Sequence, residues 1–405
     1  MEVMKRSILI LIAFSTLLCA CDRTWDLSDA YDNTESSKPF IPGQGDTPGQ
    51  GDTPNKEEPD TTSTDVPEDE FIKGSLTGGI AYKLGPRKDI TQPSTMPLKG
   101  YWTDGKITAL KQSEGKFILF WAEATSYRQE ASTPWLEDNV NTLTSSDAVF
   151  GKSINKQSGF NDGGSWFIGV HSLGGDRMVG FFHAESHWSG GSGEAYKSIG
   201  VTYSNDLGKT WEKGTKILGC DEPKPDTPQF TGLGDGCVVW NEARQSWICY
   251  YSGLCLSVWD FVLSMAESTD PEAAPGTWKK WDGSAFTGVG CDSETGLGSE
   301  NFSIDNLVHR RGANPSVMYN SYIKKWVMVY HGWESYIVMS TSDDGISWAE
   351  PTVIISKTME HGGAMYPNMI SSEGDTSGGK SFRIYYAADM VNGVRVLTYR
   401  DFIFE

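Results

Sequence analysis

The residues Phe182-His183-Ala184-Glu185-Ser186-His187-Trp188 are the densest group in the chain able to do chemistry. In a strand, residues two apart share a face, so His183, Glu185 and His187 point one way and Phe182, Ala184 and Ser186 the other. An imidazole beside a carboxylate fixes its orientation and proton state, which makes Glu185 a candidate general acid held by His183. Two imidazoles and a carboxylate could also bind zinc or another divalent ion, provided the strand runs as far as His187. The bland alternative is a solvated polar edge at a strand end. No cofactor is expected, and none of the cysteines shows a spaced CxxC pair of the zinc-ribbon type. Glu123, in Phe120-Trp121-Ala122-Glu123, occupies the matching place one strand unit earlier.

Three aspartates sit at the starts of strand-like runs: Asp104 before Gly105, Asp162 before Gly163-Gly164, and Asp235 between Gly234 and Gly236. Two later runs start with Asn314-Pro315 and Tyr366-Pro367 instead. If these starts are equivalent, the carboxylates of Asp104, Asp162 and Asp235 converge on one axial pocket with Glu185. Hydrolysis of a glycosidic bond needs such a set, with one carboxyl protonated as acid, another ionised as base or nucleophile, and a third biasing both. The competing reading is that Asp-Gly merely caps turns. With 15 Trp and 16 Tyr, the chain has aromatics to spare for stacking on sugar faces, among them Trp102, Trp188, Trp259, Trp333 and Tyr366. His183, Glu123, Trp188, Asn314, Trp333 and Tyr366 are the expected substrate contacts.

These residues need a frame of short strands to hold them. Gly164 to Ser204 reads as three strands, the first two joined by Gly174-Gly175-Asp176, a glycine-rich hairpin signal. The third closes on Ser204-Asn205-Asp206-Leu207-Gly208-Lys209-Thr210-Trp211, where Asp206 can bond turn amides and Gly208 can take the left-handed position. Thr341-Ser342-Asp343-Asp344-Gly345-Ile346-Ser347-Trp348 repeats that order, with Asp343 expected to hold the turn. A repeated strand-hairpin-strand unit decides the architecture. Five such units can be traced, the first built from residues 105–112, 117–125 and 141–149. No long helical period interrupts them. The expected fold is all-β, a five-bladed β-propeller, closed by pairing a strand near residues 79–83 with the last unit.

The chain divides into three parts. Residues 1–21 form an export signal, with Lys5 and Arg6 ahead of an apolar run and Leu18-Cys19-Ala20-Cys21 as a lipobox, so Cys21 is the expected lipidation site. Residues 22–70, rich in Gly, Pro, Thr and Asp, lack the apolar side chains needed to offset ordering entropy and read as a disordered tether. Residues 71–405 form the propeller domain. The protein is expected to be monomeric, with only its lipid in the membrane, anchored to the bacterial outer membrane on its periplasmic or cell-surface face. With 53 acidic against 34 basic residues and a net charge of -19, nucleic acid is excluded as partner, and a carbohydrate polymer or oligosaccharide fits. The cysteines beyond Cys21 (Cys220, Cys237, Cys249, Cys255 and Cys291) are odd in number, so at most two disulfides are expected.

The turn spacing Ser-x-Asp-x-Gly-x-Thr-Trp resembles the Asp box of sialidases and related glycoside-active propellers. Together with residues 183–188, 198–204, 232–240, 312–332 and 365–389, it makes Leu76 to Phe404 resemble the five-bladed propeller proteins of the domain-4185 type, which are related in architecture to glycoside hydrolase family 43. That resemblance implies a glycoside hydrolase, with an arabinan or other arabinofuranoside-containing glycan as first substrate, and Asp104, Asp162, Glu185 and Asp235 as positional counterparts of its catalytic carboxylates. The Asp-Pro start of family 43 is absent at Asp104. A sialidase would need three clustered arginines and an early Arg-Ile-Pro, whereas Arg383-Ile384-Tyr385 is late and lacks the proline. The competing class is a surface lipoprotein that binds glycans without cleaving them.

Overall fold

A computed structural model describes residues 70–90, 105–122, 125–151, 154, 159–189, 194–255, 260–304, 312–332, 336–360, 362–388 and 395–405. Asp104, Glu123, Trp102, Trp259, Trp333, Cys21 and the signal and tether segments lie outside them. The described chain is all-β, with helical pieces of no more than four residues, such as Leu136–Asn139. The expected strand at residues 141–149 is mostly short helical turns. The third strand of the first meander is instead Thr125–Ala131, and Ala148–Gly151 pairs with it as the fourth.

Each meander is antiparallel. In the second, Gly164–Gly174 pairs with Arg177–His187, which pairs with Ala195–Ser204 and then Thr215–Leu218. Thr231–Asn241, Ser246–Cys255 and Asp260–Ser268 follow in the same order, as do Gly312–Asn320, Lys325–Gly332 and Tyr336–Ser342. The last meander, Ala364–Ile370, Ser381–Ala388 and Val396–Phe404, takes Ile80–Leu84 as its outer strand, with Tyr82 opposite Phe404. Ile80–Leu84 thus covers an edge of the last meander, as expected from sequence.

The first strands of successive meanders pack side by side in chain order. Ile107 N–H donates to Asn368 Oδ1 at 2.8 Å and brings the last first-strand back to the first. Apolar side chains fill each gap: Phe120, Phe150, Phe167, Phe182 and Trp211 between the first two meanders, and Ile107, Trp121, Ile370, Tyr385 and Leu397 between the last and the first. Strands packed on both faces in this way are apolar along their whole length, which is why Phe117–Trp121 does not alternate.

Both repeated turns form, with one correction. Asp206 Oδ1 accepts the Thr210 N–H at 2.9 Å, its other oxygen accepts the Thr210 hydroxyl at 2.6 Å, and Trp211 Nε1 donates to Gly208 O at 3.0 Å. In the second turn the carboxylate is that of Asp344, not Asp343, with Ile346 and Ser347 N–H both at 2.8 Å. Asp343 is exposed and pairs with Lys325.

Candidate active site

The strand Arg177–His187 does extend to its second histidine, and His183, Glu185 and His187 share a face as the period of two requires. Glu185 lies between the two imidazoles. His183 Nε2 is 3.3 Å from its Oε1 and His187 Nε2 is 2.9 Å from its Oε2. His183 Nδ1 accepts the backbone N–H of Asp235 at 2.9 Å, which leaves the imidazole proton on Nε2, directed at Glu185. Both imidazoles are thus engaged with the carboxylate itself. Among the described residues no group of three His, Cys, Asp or Glu converges as a metal-ligand set.

Lys197 completes the group. It faces Glu185 across the strand pair, with Nζ 3.7 Å from Glu185 Oε1 and 3.2 Å from Asp235 Oδ2. Its ammonium also lies 4.0 Å above the centre of the Phe230 ring. Lys197 emerges where two meanders join, in the short parallel pair Tyr196↔Thr231 and Lys197↔Gly232. Sequence reasoning missed it. The available signal was the one charged residue of a long, almost wholly buried strand, Ala195–Ser204, where an unpaired charge is not tolerated.

Burial alone would raise the Glu185 pKa, but the hydrogen bonds from His183 and His187 and the charge of Lys197 override it and hold the carboxyl far below the usual range. The expectation that Glu185 is a protonated acid therefore meets a site built to keep it ionised. Asp235 is also held low: burial opposes ionisation, and Lys197 and then His183 outweigh both burial and the repulsion of Glu185. The two carboxylates differ in access, with side-chain exposure of 4% for Glu185 and 22% for Asp235.

Asp235 is displayed by a bulge. The pairing slips between Gly234 and Cys237, and Asp235 has φ 46, in the left-handed region. The same device recurs at Asn314, φ 52, with a slip between Ala313 and Ser316, and at Tyr366, φ 55, with a slip between Met365 and Asn368. A bulge turns one side chain out of the ladder, and a non-glycine residue keeps this backbone only when the surroundings impose it. Asp235, Asn314 and Tyr366 are therefore equivalent, as the sequence suggested. Ser252 ties the first two together, donating to Asp235 O at 3.1 Å and accepting Asn314 N–H at 3.0 Å. Tyr366 lies beneath the Arg395 guanidinium, 5.1 Å away.

Asp162 is not in that series. It precedes its strand, and its Oδ1 accepts the backbone N–H of His187 at 3.1 Å, while the slips in this strand pair fall later, between Phe167 and Gly169 and between Ser172 and Gly174. It borders the Glu185 group as a clamp on the strand end. Trp188 is half-buried, donates from Nε1 to Pro225 O at 2.8 Å and carries Lys224 over its ring at 4.5 Å. Lys224 in turn donates to Ser186 Oγ and to His187 O.

Two glycines beside these aspartates make room for the imidazoles. A Cβ on Gly234 would lie 2.0 Å from His183 Nδ1, and one on Gly163 would lie 2.5 Å from the His187 ring. Both imidazoles occupy space that only glycine leaves free.

No family model matches the chain, and no curated protein matches it by sequence. Among solved structures, it is similar to one described as a glycoside hydrolase, with TM-score 0.46, 11% identity, and coverage of 77% of this chain and 90% of that one. Zg3597, a family 117 glycoside hydrolase of the marine bacterium Zobellia galactanivorans, gives 0.47, 10%, 80% and 90% for the same quantities. A BT0996 RGII complex gives 0.45, 11%, 78% and 92%. Likeness at this level assigns no role to any residue of this chain.

Proposed function

We propose that the protein is a glycoside hydrolase acting on a polysaccharide, at the site formed by Glu185, Asp235, His183, His187 and Lys197. The observation that carries this reading is the pair of ionised carboxylates sharing one buried ammonium, with Asp235 the more open of the two. Glycosidic hydrolysis proceeds through a cation-like sugar, which two fixed negative charges stabilise. The more exposed Asp235 acts as the base that takes a proton from water, and the buried Glu185 supplies charge and orients the imidazoles. Asn314 and Tyr366, raised by equivalent bulges on the neighbouring first strands, are suited to contact the sugar.

The reading extends to a five-bladed propeller over residues 71–405, tethered through residues 22–70 to a lipid on Cys21 at the outer membrane. Arabinan is the first substrate to try, because the sequence resembles propellers related to arabinofuranoside-cleaving enzymes. Incubation with a panel of polysaccharides, arabinans first, followed by chromatography, should show oligosaccharides or free sugar released. Retention of glycans on the protein with no product from any panel member would replace the hydrolase with a binding lipoprotein, and Trp188 would be the first contact to remove.

A further inference from the structure

We infer that His187 is the proton donor of this site, with Glu185 as its fixed carboxylate partner. The inference rests on the hydrolase reading and deepens it. A glycosidase must protonate the departing oxygen, and neither carboxylate found here is held in its protonated form. Of the side chains in direct contact with Glu185, His187 has the greatest access: its side chain is 37% exposed, against 3% for His183 and 9% for Lys197. His183 has both ring nitrogens engaged, by Glu185 and by the Asp235 N–H.

His187 has only one engaged. Its Nε2 meets Glu185 Oε2 at 2.9 Å, while Nδ1 has no hydrogen-bond partner among the described residues and is not among their buried, unsatisfied atoms. A carboxylate bonded to one imidazole nitrogen fixes the ring and stabilises the imidazolium, so that the opposite nitrogen exchanges the proton. The charged groups around His187 from each packed element agree with that role. Glu185 faces the ring from the same strand, Asp162 accepts its N–H from the preceding bend, and Lys224 is drawn to its carbonyl oxygen rather than to the ring. Lys197 sits on the far side of Glu185.

In the step that follows, the imidazolium gives its Nδ1 proton to the leaving oxygen as the bond from the anomeric carbon to that oxygen breaks. Water forms the new bond to the anomeric carbon and passes its proton to the Asp235 carboxylate. Proton exchange with solvent then restores imidazolium and carboxylate.

The test compares two substrates that differ in their need for an acid. His187→Gln should lower turnover of the best polysaccharide of the panel by on the order of 10²-fold or more and flatten the alkaline limb of its pH profile. The same variant should hydrolyse a nitrophenyl glycoside of the released sugar within a few-fold of wild type, because nitrophenolate leaves without protonation. Asp235→Asn should impair both substrates. Equal losses on both substrates for His187→Gln would overturn the inference and leave His187 a purely structural role. Long-range ¹⁵N–¹H spectra of the histidines in the full chain give a reading independent of turnover. The neutral form of His187 should carry its proton on Nε2, and an Nδ1–H tautomer would overturn the dyad. A wild type that cleaves neither substrate overturns the hydrolase itself, a failure distinct from equal losses in the variant.

Discussion

Glu185→Gln separates an ionised from a protonated glutamate, because the amide copies the shape of the acid but not the charge of the carboxylate. Among the described residues, the side chains paired with the Glu185 carboxylate present donors to it: His183 Nε2–H, His187 Nε2–H and the Lys197 ammonium. A glutamine would turn its own N–H2 toward one of them, converting that contact into a repulsive one, and would remove the negative charge that faces Lys197. Breaking a buried charge pair from one side costs about 3–5 kcal/mol, and with 4% of the side chain exposed, solvent offers little relief. The loss should therefore approach that range at pH 7, read from urea or guanidinium midpoints of the variant and wild type. Its pH dependence has a definite sign. A carboxylate whose pKa is depressed by folding adds stability above its unfolded value, about 4.3, and that stability fades as pH falls below it toward the folded value. The gap between wild type and Glu185→Gln should thus be full above about pH 5 and narrow below about pH 4. A variant as stable as wild type across that window would mean that Glu185 is a neutral acid, and the charge assignment of the site would fall.

Three further outcomes follow. Lys197→Met should destabilise by about 3 kcal/mol, since it leaves two carboxylates facing each other, and should move the acid limb of the pH-rate profile to higher pH; Lys197→Arg should recover part of both, measured by denaturation and by turnover of the best substrate. Gly234→Ala places a methyl 2.0 Å from His183 Nδ1, so it should cost about 1–3 kcal/mol and displace His183, with lost turnover out of proportion to lost stability. Cys21→Ala should release the protein from the membrane fraction; a variant that stays there would refute lipidation at this cysteine.

Most of the strand units, the hairpin at Gly174-Gly175 and the closure by Ile80–Leu84 were readable because short aromatic and β-branched runs and glycine turns are local signals. So was the common face of His183, Glu185 and His187. The proton state of Glu185 was not, because it depends on Lys197, one strand over, and on the tautomer set by the Asp235 N–H across a meander boundary. The assignment of Asp343 rather than Asp344 failed on a one-residue ambiguity between adjacent aspartates that only the turn amides resolve. Asp162 and Asp235 both stand beside glycine, and the sequence gives no sign that one caps a strand end while the other rides a bulge.

That difference bears on how the scaffold positions chemistry. Asp235, Asn314 and Tyr366 share one backbone feature on consecutive first strands, yet they are an acid, an amide and a phenol. The repeated bulge fixes where a side chain leaves the sheet and leaves its identity free, so neighbouring units can differ in chemistry without differing in fold. The charged cluster arises differently, where the second and third meanders join through Lys197↔Gly232. Gly232 has φ +101, and a Cβ there would meet Lys197 O at 2.3 Å, so this close parallel contact requires glycine. The contact brings the lysine of one meander and the bulged aspartate of the next within hydrogen-bond reach. A site made this way depends on the fit between meanders rather than on any single strand. Gly232→Ala should therefore weaken the Lys197–Asp235 pair without touching either charge.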